Sequence, residues 1–80
     1  MIRQKLAERF QQDLLFADGF DDAIIAIEVN TGRVIYDYNK MIGSLVSDGM
    51  SLEEAVEYLD FNVLDAYVGE QTPIYAYKVN

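Results

Sequence analysis

Asp22-Ala23-Ile24-Ile25-Ala26-Ile27-Glu28-Val29, Asn30-Thr31-Gly32 and Arg33-Val34-Ile35-Tyr36-Asp37 together form the stretch that decides the fold. Ala23, Ile25, Ile27 and Val29 alternate onto one face of a strand, and Ile24 and Ala26 make its other face apolar too. Asn30-Thr31-Gly32 supplies a type I turn followed by a glycine in the left-handed region. Arg33 to Asp37 returns, with Val34 and Tyr36 on one side and Ile35 on the other. The segment is a β-hairpin.

Downstream, Asp37 caps a helix running to about Asp48, with Met41, Ile42, Leu45 and Val46 as its apolar stripe and Gly49 as its stop. Ser51-Leu52-Glu53-Glu54 is a capping box that opens a further helix with Leu52, Ala55, Val56, Leu59 and Val63 on one face. Gly69 and Pro73 shape the loop into a last strand, Ile74 to Val79. Asn62 is placed to brace this loop through its backbone, in preference to forming a polar site with Glu70 and Thr72. Upstream, Ile2, Leu6, Phe10 and Leu14 recur every four residues, predicting an amphipathic helix within residues 1–17 that Gly19 closes.

The order is α+β: N-terminal helix, hairpin, helix pair, strand. The predicted unit is a single domain, residues 1–17 forming the helix and 18–80 an acidic body. Its three-stranded mixed sheet carries helices on one face. The hairpin's first strand, the most apolar, is expected at the centre with the last strand parallel to it. The alternative sets the last strand antiparallel beside the second.

Charge is divided unevenly. Residues 1–17 carry three basic side chains against two acidic ones, a net of +1, and residues 18–80 carry twelve acids against three bases, a net of −9, making up the formal −8 of the 80-residue chain. Such a body repels phosphate backbones and attracts basic protein surfaces, so direct nucleic-acid binding is not expected. The chain has no cysteine and no histidine. That removes disulfides, thiolate metal sites, thiol nucleophiles and the commonest general base. Ser44, Ser47, Ser51, Thr31 and Thr72 have no histidine to activate them, and no glycine loop matches a phosphate cradle. No enzyme activity and no cofactor are expected. No apolar run approaches the ~20 residues of a membrane span and the N-terminus is too polar for a signal peptide, so a cytosolic protein is expected.

Asp18, Asp21 and Asp22 crowd one loop, but their spacing does not match a calcium-binding loop. The reading is a solvated loop with no metal. Glu53, Glu57 and Asp60 lie on one helix face at spacings of four and three, and Asp48 and Glu70 extend the row. Tyr75 and Tyr77 share a strand face, and tyrosine offers contact area at low entropic cost. These seven residues are the candidate partner-binding set. Ile2, Leu6, Phe10 and Leu14 are the candidate oligomer interface.

Thr31 to Ile42, Glu53 to Val63 and Ala66 to Ile74 together resemble a group of small acidic proteins encoded by tailed bacteriophages and prophages. The resemblance covers roughly residues 18–76. It implies a viral or prophage origin, hence a host cytosol, and carries over no functional residue. With the net −9 it raises one expectation: an inhibitor of anti-CRISPR or anti-restriction type, docking on a basic surface of a host or phage nucleic-acid-handling or defence enzyme. The alternative is a homo-oligomeric structural or assembly protein, a homodimer in its simplest form.

Overall fold

Asp37 is both the last residue of a strand and the cap of the next helix, and the architecture is built outward from it. In a computed structural model that describes residues 2–10 and 14–79, the chain runs α1 (Ile2–Phe10), a 3₁₀ turn (Asp21–Ala23), β1 (Ile24–Ile27) and β2 (Val34–Asp37). It continues through α2 (Tyr38–Ser47), α3 (Leu52–Leu59), a π-helical turn (Asp60–Leu64) and β3 (Ile74–Ala76). The buried Asp37 carboxylate accepts from the backbone amides of Asn39 at 3.0 Å and Lys40 at 3.4 Å, satisfying two orphan donors of α2. The capping box forms as expected: the Glu54 amide donates to Ser51 Oγ at 3.1 Å and the Ser51 amide to Glu54 Oε1 at 3.0 Å. Gly49, at φ +111°, ends α2.

The open sheet has the order β1-β2-β3, with β1 antiparallel to β2 and β2 parallel to β3. β2 is therefore central, which corrects the expectation that β1 would be. The last strand lies beside β2, as in the alternative, but parallel to it. Two physical reasons account for this. Val34 and Tyr36 are completely buried, whereas Ala26 is exposed, so β2 carries the core despite its shorter apolar run. The π-helical turn and the long loop to Pro73 also give the chain enough length to return to its starting end after two helices.

β1 is shorter than the expected Asp22–Val29 strand. Its register with β2 shifts between Ile24 and Ala26, leaving Ile25 as the extra residue of a bulge. The bulge breaks the two-residue alternation, so Ala23, Ile24 and Ile27 reach the core while Ile25 does not. Val29 is 95% exposed and belongs to the turn. Glu28 draws it there, because its carboxylate accepts from the Asn30 amide at 2.5 Å, the Thr31 amide at 3.1 Å and the Thr31 hydroxyl at 2.9 Å. Gly32, at φ +75°, closes the turn by donating to the Glu28 carbonyl at 2.9 Å. β3 is likewise shorter than Ile74–Val79.

The core joins Val34 and Tyr36 to Phe20, Ala23, Met41, Leu45, Ala55 and Leu59. Burying side chains the size of Met41 or Leu59 contributes about 1.5–3 kcal/mol each. The N-terminal helix ends sooner than its pattern suggests. Residues 11–13 of the expected helix lie outside the described residues, and Leu14 to Ala17 are irregular rather than helical. Leu14, Phe16 and Ala17 instead pack against the core. Leu14 thus leaves the expected stripe of Ile2, Leu6 and Phe10, because the core offers it more apolar contact than a helix face does. None of the residues of α1 is buried.

Candidate functional site

The turn from α3 into the loop widens to the i→i+5 spacing, and such turns recur at functional sites. Here it sets Asp60 and Leu64 beside the ends of two other elements. Tyr38 is the first residue of α2, and Tyr75 and Ala76 sit on β3, in register with Tyr36 and Asp37 of β2. One further step along that parallel register brings Tyr77 opposite Tyr38. Tyr38, Asp60, Leu64, Tyr75, Ala76 and Tyr77 line a cleft of about 350 Å³.

Its walls are ordered by aromatic packing. The Tyr38 and Tyr77 rings stand 5.5 Å apart with planes inclined by 72°, and Tyr75 lies 5.8 Å from Tyr36 with planes inclined by 32°. The fixed Tyr36 ring thereby holds Tyr75, and Tyr75 backs the cleft. Tyr77 is 69% exposed and forms the outer wall. Desolvation first, then the neighbouring Asp60 carboxylate and the Tyr77 phenol, push the Tyr38 phenol above its ordinary value. Burial does the same to Tyr75. Both phenols remain neutral at physiological pH, and Asp60 is the one acidic side chain at the site.

Of the seven candidate partner-binding residues, the cleft collects Asp60, Tyr75 and Tyr77. Asp48 caps the C-terminus of α2, Glu53 lies in the first turn of α3, Glu57 follows one turn on, and Glu70 sits in the loop before β3, all of them exposed. These four lie outside the cleft. Tyr38 and Leu64 were not among the candidates. The signal for Tyr38 is the β2–β3 register, and it is hidden when β3 is set beside β1.

Among the described residues, the ion pairs are those of Arg3, to Asp18 at 3.2 Å and to Asp21 at 2.7 Å. The aspartate loop therefore receives a guanidinium from α1, and Arg3 also lies 4.9 Å from the Phe16 ring centre. Among the described residues no group of three or more acids converges as a metal site would require. Asn62 does not brace the loop. Its side-chain amide donates to the Tyr58 carbonyl of its own helix at 3.1 Å, and the loop is held by other residues. Thr72 Oγ1 accepts from the Val68 amide at 3.0 Å and donates to the Gly69 carbonyl at 2.6 Å. Arg33 Nε donates to the Thr72 carbonyl, and Gln71 Nε2 donates to the Thr31 carbonyl at 3.0 Å, tying the loop to the hairpin. No helix among the described residues is long and apolar enough to cross a membrane.

Comparison of the chain with protein-family models, curated proteins and solved structures finds no match.

Proposed function

We propose that this chain is a non-catalytic interaction protein that docks its acidic α3 side on a basic surface of a nucleic-acid-handling or defence enzyme. Its concrete form is an inhibitor of anti-CRISPR or anti-restriction type, acting in the host cytosol. One observation carries the reading. Glu53, Glu57 and Asp60 are exposed along α3 and the turn that follows, none has a cationic partner among the described residues, and the exposed rings of Tyr58 and Phe61 directly follow Glu57 and Asp60 in the chain. Phe61 is 81% exposed. Unpaired like charge costs stability through self-repulsion, and a basic partner relieves that cost while it speeds and orients association. Aromatic side chains set among the acids supply the contacts that hold a complex together. The resemblance of residues 18–76 to small phage proteins supports a host enzyme as the target.

The test is capture from a bacterial host lysate by the wild-type chain and by Glu53→Lys/Glu57→Lys, across a salt series. The expected result is enrichment of a basic nucleic-acid-handling enzyme by the wild type, lost in the double variant and weakened as screening shortens to about 3 Å near 1 M salt. Enrichment of no such enzyme, or equal capture by the double variant, overturns the reading.

A further inference from the structure

We propose that the cleft between Tyr38, Tyr75, Tyr77 and Asp60 is a receptor for one arginine side chain presented by the partner protein. This rests on the reading above and adds the chemistry of the anchoring contact.

Four features of the cleft select a guanidinium. The first is aromatic. The faces of tyrosine rings are electron-rich, and the Tyr38 and Tyr77 rings, in edge-to-face contact at 5.5 Å and 72°, both line the cleft and leave it an aromatic surface on which a cation can rest. The second is charge. Asp60 is the one acidic residue lining the cleft, so a positively charged occupant is favoured over phosphate or carboxylate ligands. The third is shape. Guanidinium is flat and weakly hydrated, stacks on ring faces and matches a carboxylate with two parallel N–H donors, whereas an ammonium is a compact and strongly hydrated point charge. The fourth is the apolar lining of Leu64 and Ala76, which suits the methylene stem of a long basic side chain. The volume of about 350 Å³ accommodates such a side chain with residual water.

The cleft is also built from fixed parts. Tyr38 follows a capped helix start, Tyr75 is held by the buried Tyr36, and Asp60 stands on a turn continuous with α3. A site that is formed before binding loses little entropy when it is filled.

The experiment titrates the isotopically labelled full chain with N-acetyl-arginine methylamide at constant ionic strength and follows backbone amide resonances. The lysine analogue and the neutral, nearly isosteric citrulline analogue are run alongside. Saturable shifts at Tyr38, Ala76 and Tyr77 with the arginine probe are expected, with no saturation by citrulline. Affinity for lysine is expected to be about threefold weaker. Tyr77→Ala should weaken arginine binding about fivefold and Tyr77→Phe should leave it within about twofold, since the ring and not the hydroxyl makes the wall. Asp60→Asn should weaken it by a similar factor. Because Tyr77 and Asp60 are exposed, all three variants keep the core intact. Equal shifts with arginine and lysine, shifts centred on Glu53 and Glu57, or arginine binding unchanged by Tyr77→Ala would overturn the receptor while leaving a basic partner in place. Loss of partner capture in Glu53→Lys/Glu57→Lys bears on the docking surface instead, since neither residue lines the cleft.

Discussion

The backbone amide of Ala17 donates a hydrogen bond of 2.7 Å to the hydroxyl of Tyr36. Tyr36 is completely buried on the central strand, and this bond fastens the irregular segment that ends in Ala17 to the sheet. Burial raises the Tyr36 phenol above its ordinary value, while the Ala17 amide acts in the opposite direction. Tyr36→Phe removes the acceptor, keeps the ring and leaves an amide unpaired. The expected loss is about 1–2 kcal/mol, and urea unfolding with an unchanged slope checks it.

Two glycines near the same helix should respond in opposite ways to alanine. Gly49 sits at φ +111° in open space, so a methyl group meets no atom but forces a left-handed backbone. Gly49→Ala should cost about 1–2 kcal/mol. Gly43 lies within α2 with nothing near its added Cβ. Gly43→Ala should stabilise by about 0.5–1 kcal/mol. Melting temperatures move by roughly 4–8 °C for each kcal/mol in a domain of this size, enough to separate the two.

Much of the local structure was legible because its causes are local. Asp37, Ser51, Glu54, Gly32 and Gly49 act on amides within a few residues of themselves, so caps and turns follow from their spacing. The strand order was not legible in this way. It depends on a bulge at Ile25, on the carboxylate of Glu28 drawing Val29 into the turn, and on a π-helical turn that the sequence pattern does not announce. The cleft suffered most from this. Asp60, Tyr75 and Tyr77 could be chosen as surface residues by type, but Tyr38 joins them only once β3 lies parallel to β2.

Two opposing effects separate along the pH axis. Relief of repulsion among the acids favours modest acidification from pH 7 toward pH 5, as does added salt at pH 7. The Asn30 amide first, then the Thr31 hydroxyl, hold the Glu28 carboxyl below its ordinary 4.5, and the Ser51 amide and hydroxyl do the same for Glu54. A depressed folded-state pKa contributes stability that is present above the unfolded value and lost as pH falls through the folded one. Melting temperature in low salt should therefore hold or rise from pH 7 to pH 5 and fall below about pH 4.5. Glu28→Gln/Glu54→Gln should flatten the acid side of that curve. A fall already between pH 7 and pH 5 would contradict the expected gain from relieved repulsion.

Helix α1 supports the homo-oligomer as a second reading. It buries no residue, and Ile2 and Phe10 remain 40% and 38% exposed beside a shallow groove shared with β1. Light scattering across micromolar concentrations is expected to give a larger mass for the wild type than for Ile2→Glu/Phe10→Glu. A clean monomer for both removes this reading.

The pairing of β2 with β3 also governs when the molecule becomes complete. Arg33 and Thr72, which fasten the loop before β3, are 39 residues apart, so this contact closes a long loop whose entropy must be lost first. The hairpin and the two helices rely on nearer neighbours and form on the microsecond scale of such elements. The last strand therefore docks on a surface that is already assembled, and Tyr75 and Tyr77 arrive with it. During synthesis, the acids of α3 emerge before Tyr75 of β3 and Tyr77 beyond it. A nascent chain thus carries its attractive charge before it has an aromatic cleft, and a protease that trims the tail past Ala76 removes the outer wall without cutting into the core.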